Sequence, residues 1–225
     1  MSPRRPTSTA PSPPSPPDLP ETLEPLERPP AELRGVKLQE RLLVSLDLSG
    51  RTGHDLRIVE SRLERVDLSD AAMRGLSLRD VAVHEGSWAG LAAESARLER
   101  VELHGVRMTG ASFPNGSFRD VVFVDCLLDL ANFRFCELTD ARFERCRLEE
   151  SDLYEAKLLS VMFAECDLTG VSLAGAVFER AEMRGCRLAA VGNPDRLRGV
   201  RMPLADAVAA ADVLAAAAGI EIVED

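Results

Sequence analysis

Aromatic side chains are scarce in this 225-residue chain: one Trp, one Tyr and eight Phe, although 45% of the residues are hydrophobic. A core must therefore be assembled from aliphatic side chains, many of them small. Long apolar runs are also missing. No stretch of eighteen apolar residues occurs, and the first thirty residues lack the apolar segment of a secretory leader, so no membrane association and a cytoplasmic location are expected. The five cysteines are odd in number and show no C-x-x-C spacing, which excludes the usual disulfide framework and zinc site. Reduced structural thiols, no metal and no cofactor are expected. Basic surplus is absent too: the formal net charge is -10, which disfavours nonspecific binding to phosphates, so no nucleic-acid ligand is expected and a basic partner surface fits better.

Proline is abundant, but only at one end. Eleven of fourteen prolines lie at or before Pro30, in a segment reading PSPPSPPDLPETLEPLERPP. Such a composition buries too little apolar surface to offset the entropy of ordering, so residues 1–30 are expected to form a disordered, partly polyproline II tail. Its P-x-x-P spacing, as from Pro11 to Pro14, is the one that SH3-like grooves accept, but a plain linker is the expectation.

From residue 31 onward a period of five takes over. Every fifth residue from Leu33 to Leu188 makes 32 positions, and 31 of them are hydrophobic, with only Gly53 as the exception. Composition alone would give about 14. A second, smaller apolar set sits two residues before each centre, for example Ala111, Cys126, Ala131, Cys136, Ala141 and Cys146. Side chains alternate along an extended segment, so the first and third residues of a short strand point inward and the other two turn a corner. Nine of fifteen glycines fall at the last corner position, where the second corner residue of a type II turn requires positive φ. Neither a 3.6-residue helical period nor the long strands of a sandwich can hold this pattern.

Motifs such as Ala31-Glu32-Leu33-Arg34-Gly35, Ala131-Asn132-Phe133 and Cys166-Asp167-Leu168 resemble the pentapeptide repeat A(D/N)LXX. The resemblance covers 31–190 and implies an all-β solenoid, a right-handed quadrilateral β-helix with four repeats per coil and hence about eight coils. Residues twenty apart then stack in columns. The lead-in Leu197-x-Gly199-x-Arg201 and the following Ala207-Val208-Ala209 are similar to the tail of the mycobacterial fluoroquinolone-resistance member of that family. That similarity implies a DNA-like shape and charge, dimerisation through the C-terminal end, and DNA gyrase as a partner.

The column rule names candidate sites. Glu40, Glu60, Asp80, Asp120 and Asp140 form a candidate acidic stripe, interrupted by Arg100. Val122, Val124, Leu127, Leu130, Phe135, Tyr154, Leu159 and Met162 are outward-facing apolar residues expected to cluster as an interaction surface. Residues 191–225 are expected to carry a capping or dimerisation α-helix over Pro203 to Ala218, with Leu204, Val208, Ala211 and Ala215 on its working side and Gly219 closing it. His84 and His104 share a column with Glu64, the residue types of a two-His, one-carboxylate metal site, although exposed corner residues explain them without a metal. Arg41 and Arg51 in inward slots, together with Gly53, predict a bulged coil near Arg51 to Asp55. No nucleophile and base pair is visible, so the chain reads as a noncatalytic interaction or scaffold protein with an unidentified macromolecular partner and a homodimer through the C-terminal helix. The alternative is a DNA mimic that protects DNA gyrase.

Overall fold

The computed structural model describes residues 10–223. Between 31 and 190 the chain winds as a four-sided β-helix whose coils pair in parallel at a register of twenty, as in Glu137 with Ser117 and Lys157. The first side comprises the columns of 37–39 to 177–179 and the second those of 41–44 to 182–184, each eight strands deep. In the middle coils the two sides are one eight-residue strand, such as Lys157–Ala164, bent at its fourth residue. The third side is a ladder of single bridges, from Asp47 with Asp67 to Asp167 with Arg187, and the fourth begins with the paired strands Thr52–His54 and Ala72–Arg74 and continues as single bridges from Ala72 with Ala92 to Ser172 with Gly192.

All 32 multiples of five from Gly35 to Ala190 have positive φ, 23 of them at residues other than glycine. This is the corner geometry that the nine glycines predict. On the third and fourth sides the corners close with tight bonds such as Ala71 N–H to Leu68 O, 3.1 Å, and Leu76 N–H to Met73 O, 3.1 Å. Inside, the centres are buried, with Phe123, Phe143 and Phe163 stacked at 4.7 and 4.9 Å between centroids.

Three expectations need correcting. The coil near Arg51 to Asp55 does not bulge: Thr52, Gly53 and His54 keep register with Ala72, Met73 and Arg74. A Cβ on Gly53 would lie 2.8 Å from Met73 Sδ and 2.9 Å from Leu33 Cβ, so neighbouring side chains already fill the space that its own leaves. Arg41 and Arg51 escape through the open first coils, where Arg41 pairs with Glu24 and Arg51 donates to Ala31 O. Secondly, residues 10–30 are laid along the rod instead of being disordered. They descend beside the corner between the first two sides, and Glu24–Pro25 then pairs with Arg41 and Leu42, covering part of the exposed strand edge.

Thirdly, the single C-terminal helix is two short ones after a 3-10 turn at Pro194–Leu197: α1, Leu204–Ala209, and α2, Ala211–Ala217, broken at Ala210. The break turns the working face. Ala210 and Val213 are buried with Leu197 against the last coil, whereas Leu204 is 82% and Val208 67% exposed.

Candidate functional site

The corner column that carries the acidic residues is partly closed. Arg100, which interrupts the stripe, folds onto Asp80 with Nε to Oδ1 at 2.6 Å and Nη2 to Oδ2 at 2.7 Å. This guanidinium holds the buried Asp80 carboxyl below its ordinary range. The backbone N–H of Asp18 also donates to Asp80 Oδ1 at 3.0 Å, and that of Ser15 to Asp120 Oδ1 at 2.7 Å. Two coils beyond, Ser160 Oγ accepts the Ser12 N–H at 2.7 Å. Glu40 and Glu60 are bridged by the Gln39 amide at 3.4 and 3.0 Å, and Asp140 is half-buried. Hence the stripe is in one column, as the repeat places it, but it is not a free negative surface. Ser12, Ser15 and Asp18 lie outside the repeat, and Ser160, although in the same column, carries no charge and so is not picked out by a search for an acidic stripe. The signal for the first three was present in the x-P-P pattern of the tail.

The eight apolar residues do not form one patch. Val122, Val124 and Met162 face out from the second side, Leu159 from the first, and Leu127 from the third, with Leu130 at its corner. Tyr154 stands on the fourth side against Phe135 at the next corner, ring centroids 5.4 Å apart, and Arg134 lies 4.9 Å over the Tyr154 ring. Each five residues turn a corner, so closeness in sequence becomes separation around the rod. Only residues twenty apart or astride one corner share a surface.

His84 and His104 do stack, centroids 5.1 Å apart with planes at 15°. Parallel rings cannot aim two lone pairs at one ion, and no group of three potential ligands surrounds a metal position among the described residues. Burial, then the neighbouring His104, lowers the pKa of His84. The thiols of Cys126, Cys146 and Cys186 donate to the carbonyls of Leu103, Phe123 and Phe163 at 3.4–3.5 Å, tying each coil to the one before it. Cys136, off that column, donates to Phe113 O at 3.0 Å, and burial pushes its pKa up to about 12. Four of the five cysteines are buried, and all five are free. No helix among the described residues is long and apolar enough to cross a membrane.

Ion pairs run along the columns. Arg145 bonds Asp125, Lys157 bonds Glu137 and Arg187 bonds Asp167, each one coil apart, at 2.8, 2.8 and 3.3 Å. Arg147 reaches diagonally to the buried Asp129.

Comparison with known proteins agrees with the repeat. A family model described as "Pentapeptide repeat region" matches residues 96–173, and one described as "Pentapeptide repeats (8 copies)" matches 161–189. No curated protein matches the chain. Among solved structures, a trypsin-treated form of the plasmid-mediated fluoroquinolone resistance protein QnrB1 is 20% identical, with 90% of this chain and 98% of that one covered and a TM-score of 0.38. HetL, a pentapeptide repeat protein involved in heterocyst differentiation regulation from the cyanobacterium Nostoc, is 19% identical, covering 77% and 93%, TM-score 0.27. A pentapeptide repeat protein of the Arabidopsis thaliana thylakoid lumen is 17% identical, covering 80% and 78%, TM-score 0.20.

Proposed function

We propose that this chain, whose residues 96–189 match pentapeptide-repeat family models, is a noncatalytic interaction rod that works as a homodimer joined by its C-terminal helical segment and presents its sides to a macromolecular partner. The observation that carries the reading is the apolar surface left open on the segment that closes the rod. Ala210, Val213 and Leu214 are spent on the last coil, whereas Leu204 and Val208 of α1, together with Ile220, Ile222 and Val223, project into solvent. A neighbouring copy of the same segment would bury them, and a two-fold arrangement makes one such face complementary to itself. The Phe135–Tyr154–Arg134 group and the Leu127–Leu130 corner remain for another partner.

Light scattering on the full chain tests the dimer. Twice the 24.5 kDa chain mass is expected at micromolar concentration, and the chain mass is expected once Leu204→Asp and Val208→Asp are combined. A monomeric native chain, or a variant that keeps the doubled mass, would reject it. The DNA-like reading directed at gyrase has less support, because Arg100 and the tail occupy the acidic column at Asp80 and Asp120. A gyrase supercoiling assay is expected to be unaffected by micromolar protein.

A further inference from the structure

Residues 11–18 read PSPPSPPD, so a residue with an amide hydrogen recurs every third position. Those three residues, Ser12, Ser15 and Asp18, donate to Ser160 Oγ, Asp120 Oδ1 and Asp80 Oδ1 at 2.7, 2.7 and 3.0 Å. The acceptors are forty residues apart, which is two coils. Two coils of parallel strands rise about 9.6 Å at ~4.8 Å each. One turn of a polyproline II helix, three residues at ~3.1 Å, rises about 9.3 Å. The two repeats therefore stay in step over all three contacts.

Both surfaces carry this common period. On the tail, residues 11, 14, 17, 20, 23, 26 and 29 are half-buried, while most residues between them are exposed. On the rod, the outward column of the second side alternates by coil: Leu42, Ala82, Val122 and Met162 are apolar, and Arg62, Glu102 and Arg142 between them are charged. At the corner, Asp80, Asp120 and Ser160 accept, and Arg100 at a skipped rung is turned onto Asp80. Ala82 faces outward and is only 5% exposed, and the Ser160 corner is fully covered.

We infer that the corner column from Asp80 to Ser160, with the outward column beside it, is a binding site for a polyproline II strand of pattern x-Pro-Pro, and that residues 11–18 are its resident ligand. The site reads spacing through backbone amides. Proline has no donor, so each x supplies the hydrogen bond that two neighbouring prolines cannot, and the prolines fix the extended conformation in advance. A strand with donors every second or fourth residue would miss alternate acceptors. This assignment does not depend on the dimer or on the identity of any partner.

The test removes the donors. Ser12→Pro, Ser15→Pro and Asp18→Pro together, in the full chain, preserve the polyproline conformation and delete three N–H groups. A fluorescein-labelled peptide of residues 10–20, followed by anisotropy, is expected to bind this variant at least tenfold more tightly than the native chain, whose site is filled. The same peptide with its prolines re-spaced to alternate with serine is expected to bind the variant at least tenfold more weakly. In the native chain the amides of Ser12, Ser15 and Asp18 should exchange hydrogen at least tenfold more slowly than in the free peptide. Free-peptide exchange rates at these amides overturn the assignment whatever the variant does. So do equal peptide binding by variant and native chain, and equal binding of the two peptides.

Discussion

At the scale of the residue, the unusual demand of this fold is left-handed backbone at every fifth position. Only nine of the 32 corners have glycine, and the others hold L-residues in a region that costs them roughly 1 kcal/mol or more when the side chain makes no local hydrogen bond. Leu130 is the clearest case: φ is 56°, its side chain is 57% exposed, and it is branched at Cγ with no polar atom to offset the strain. Leu130→Asn should raise stability by about 0.5–1 kcal/mol, read as a higher urea midpoint with an unchanged slope. A lower midpoint would mean that Leu130 is covered by something that the isolated chain retains, such as a second copy. The glycines made this conformation legible in the sequence. What they could not convey is where a small centre is filled from next door, which is why Gly53 suggested a bulge and Met73 removed it.

At the scale of the element, each coil rests on its two neighbours, so a core lesion should be felt locally. Phe143 lies between Phe123 and Phe163 with planes within 8° and is 1% exposed, so the space that it leaves cannot be reached by solvent or refilled without moving two coils. Phe143→Ala should cost about 3–5 kcal/mol. Hydrogen exchange should accelerate most in the strands 117–124, 137–144 and 157–164 while the first coils stay protected; uniform acceleration would show that the rod melts as one unit. The stack was legible because a strict repeat converts sequence spacing into neighbours. The C-terminal segment was not. An alanine-rich stretch names a helix without naming its buried face, and a break at Ala210 sufficed to turn Leu204 and Val208 outward and Val213 inward. The apolar surface failed for a related reason, since period-five reasoning identifies outward residues but corners distribute them over four sides.

At the scale of the whole molecule, a net charge of -10 leaves an excess of acids, but arginine and lysine pair some of them along the columns and the tail covers part of the stripe. Composition shows the acidic excess, but the pairing requires the coil register. The placement of the proline-rich segment is not legible in its composition, because its burial is periodic against a surface that the tail sequence alone does not contain. The charge pairing has a consequence for pH. Hydrogen bonding to Arg100, Arg145 and Lys157 lowers the carboxyls of Asp80, Asp125 and Glu137, so the unfolded chain binds more protons than the folded one between the folded and ordinary carboxylate values. Their contribution is complete above that range and is lost as pH falls through the folded values, below about 4. His84 acts earlier. Its lowered pKa means that the unfolded imidazole is protonated first, so stability begins to decline as pH drops below its ordinary value of 6.5. Urea midpoints measured from pH 8 to 3 should therefore fall in two stages, shallow below 6.5 and steep below 4. His84→Gln should flatten the first stage and leave the second, and Asp80→Ala should lower the neutral plateau and reduce the second. A first stage unchanged in His84→Gln would assign it to another group, and a plateau unchanged in Asp80→Ala would mean that the Arg100 pair and the tail contact add nothing to the stability of the rod.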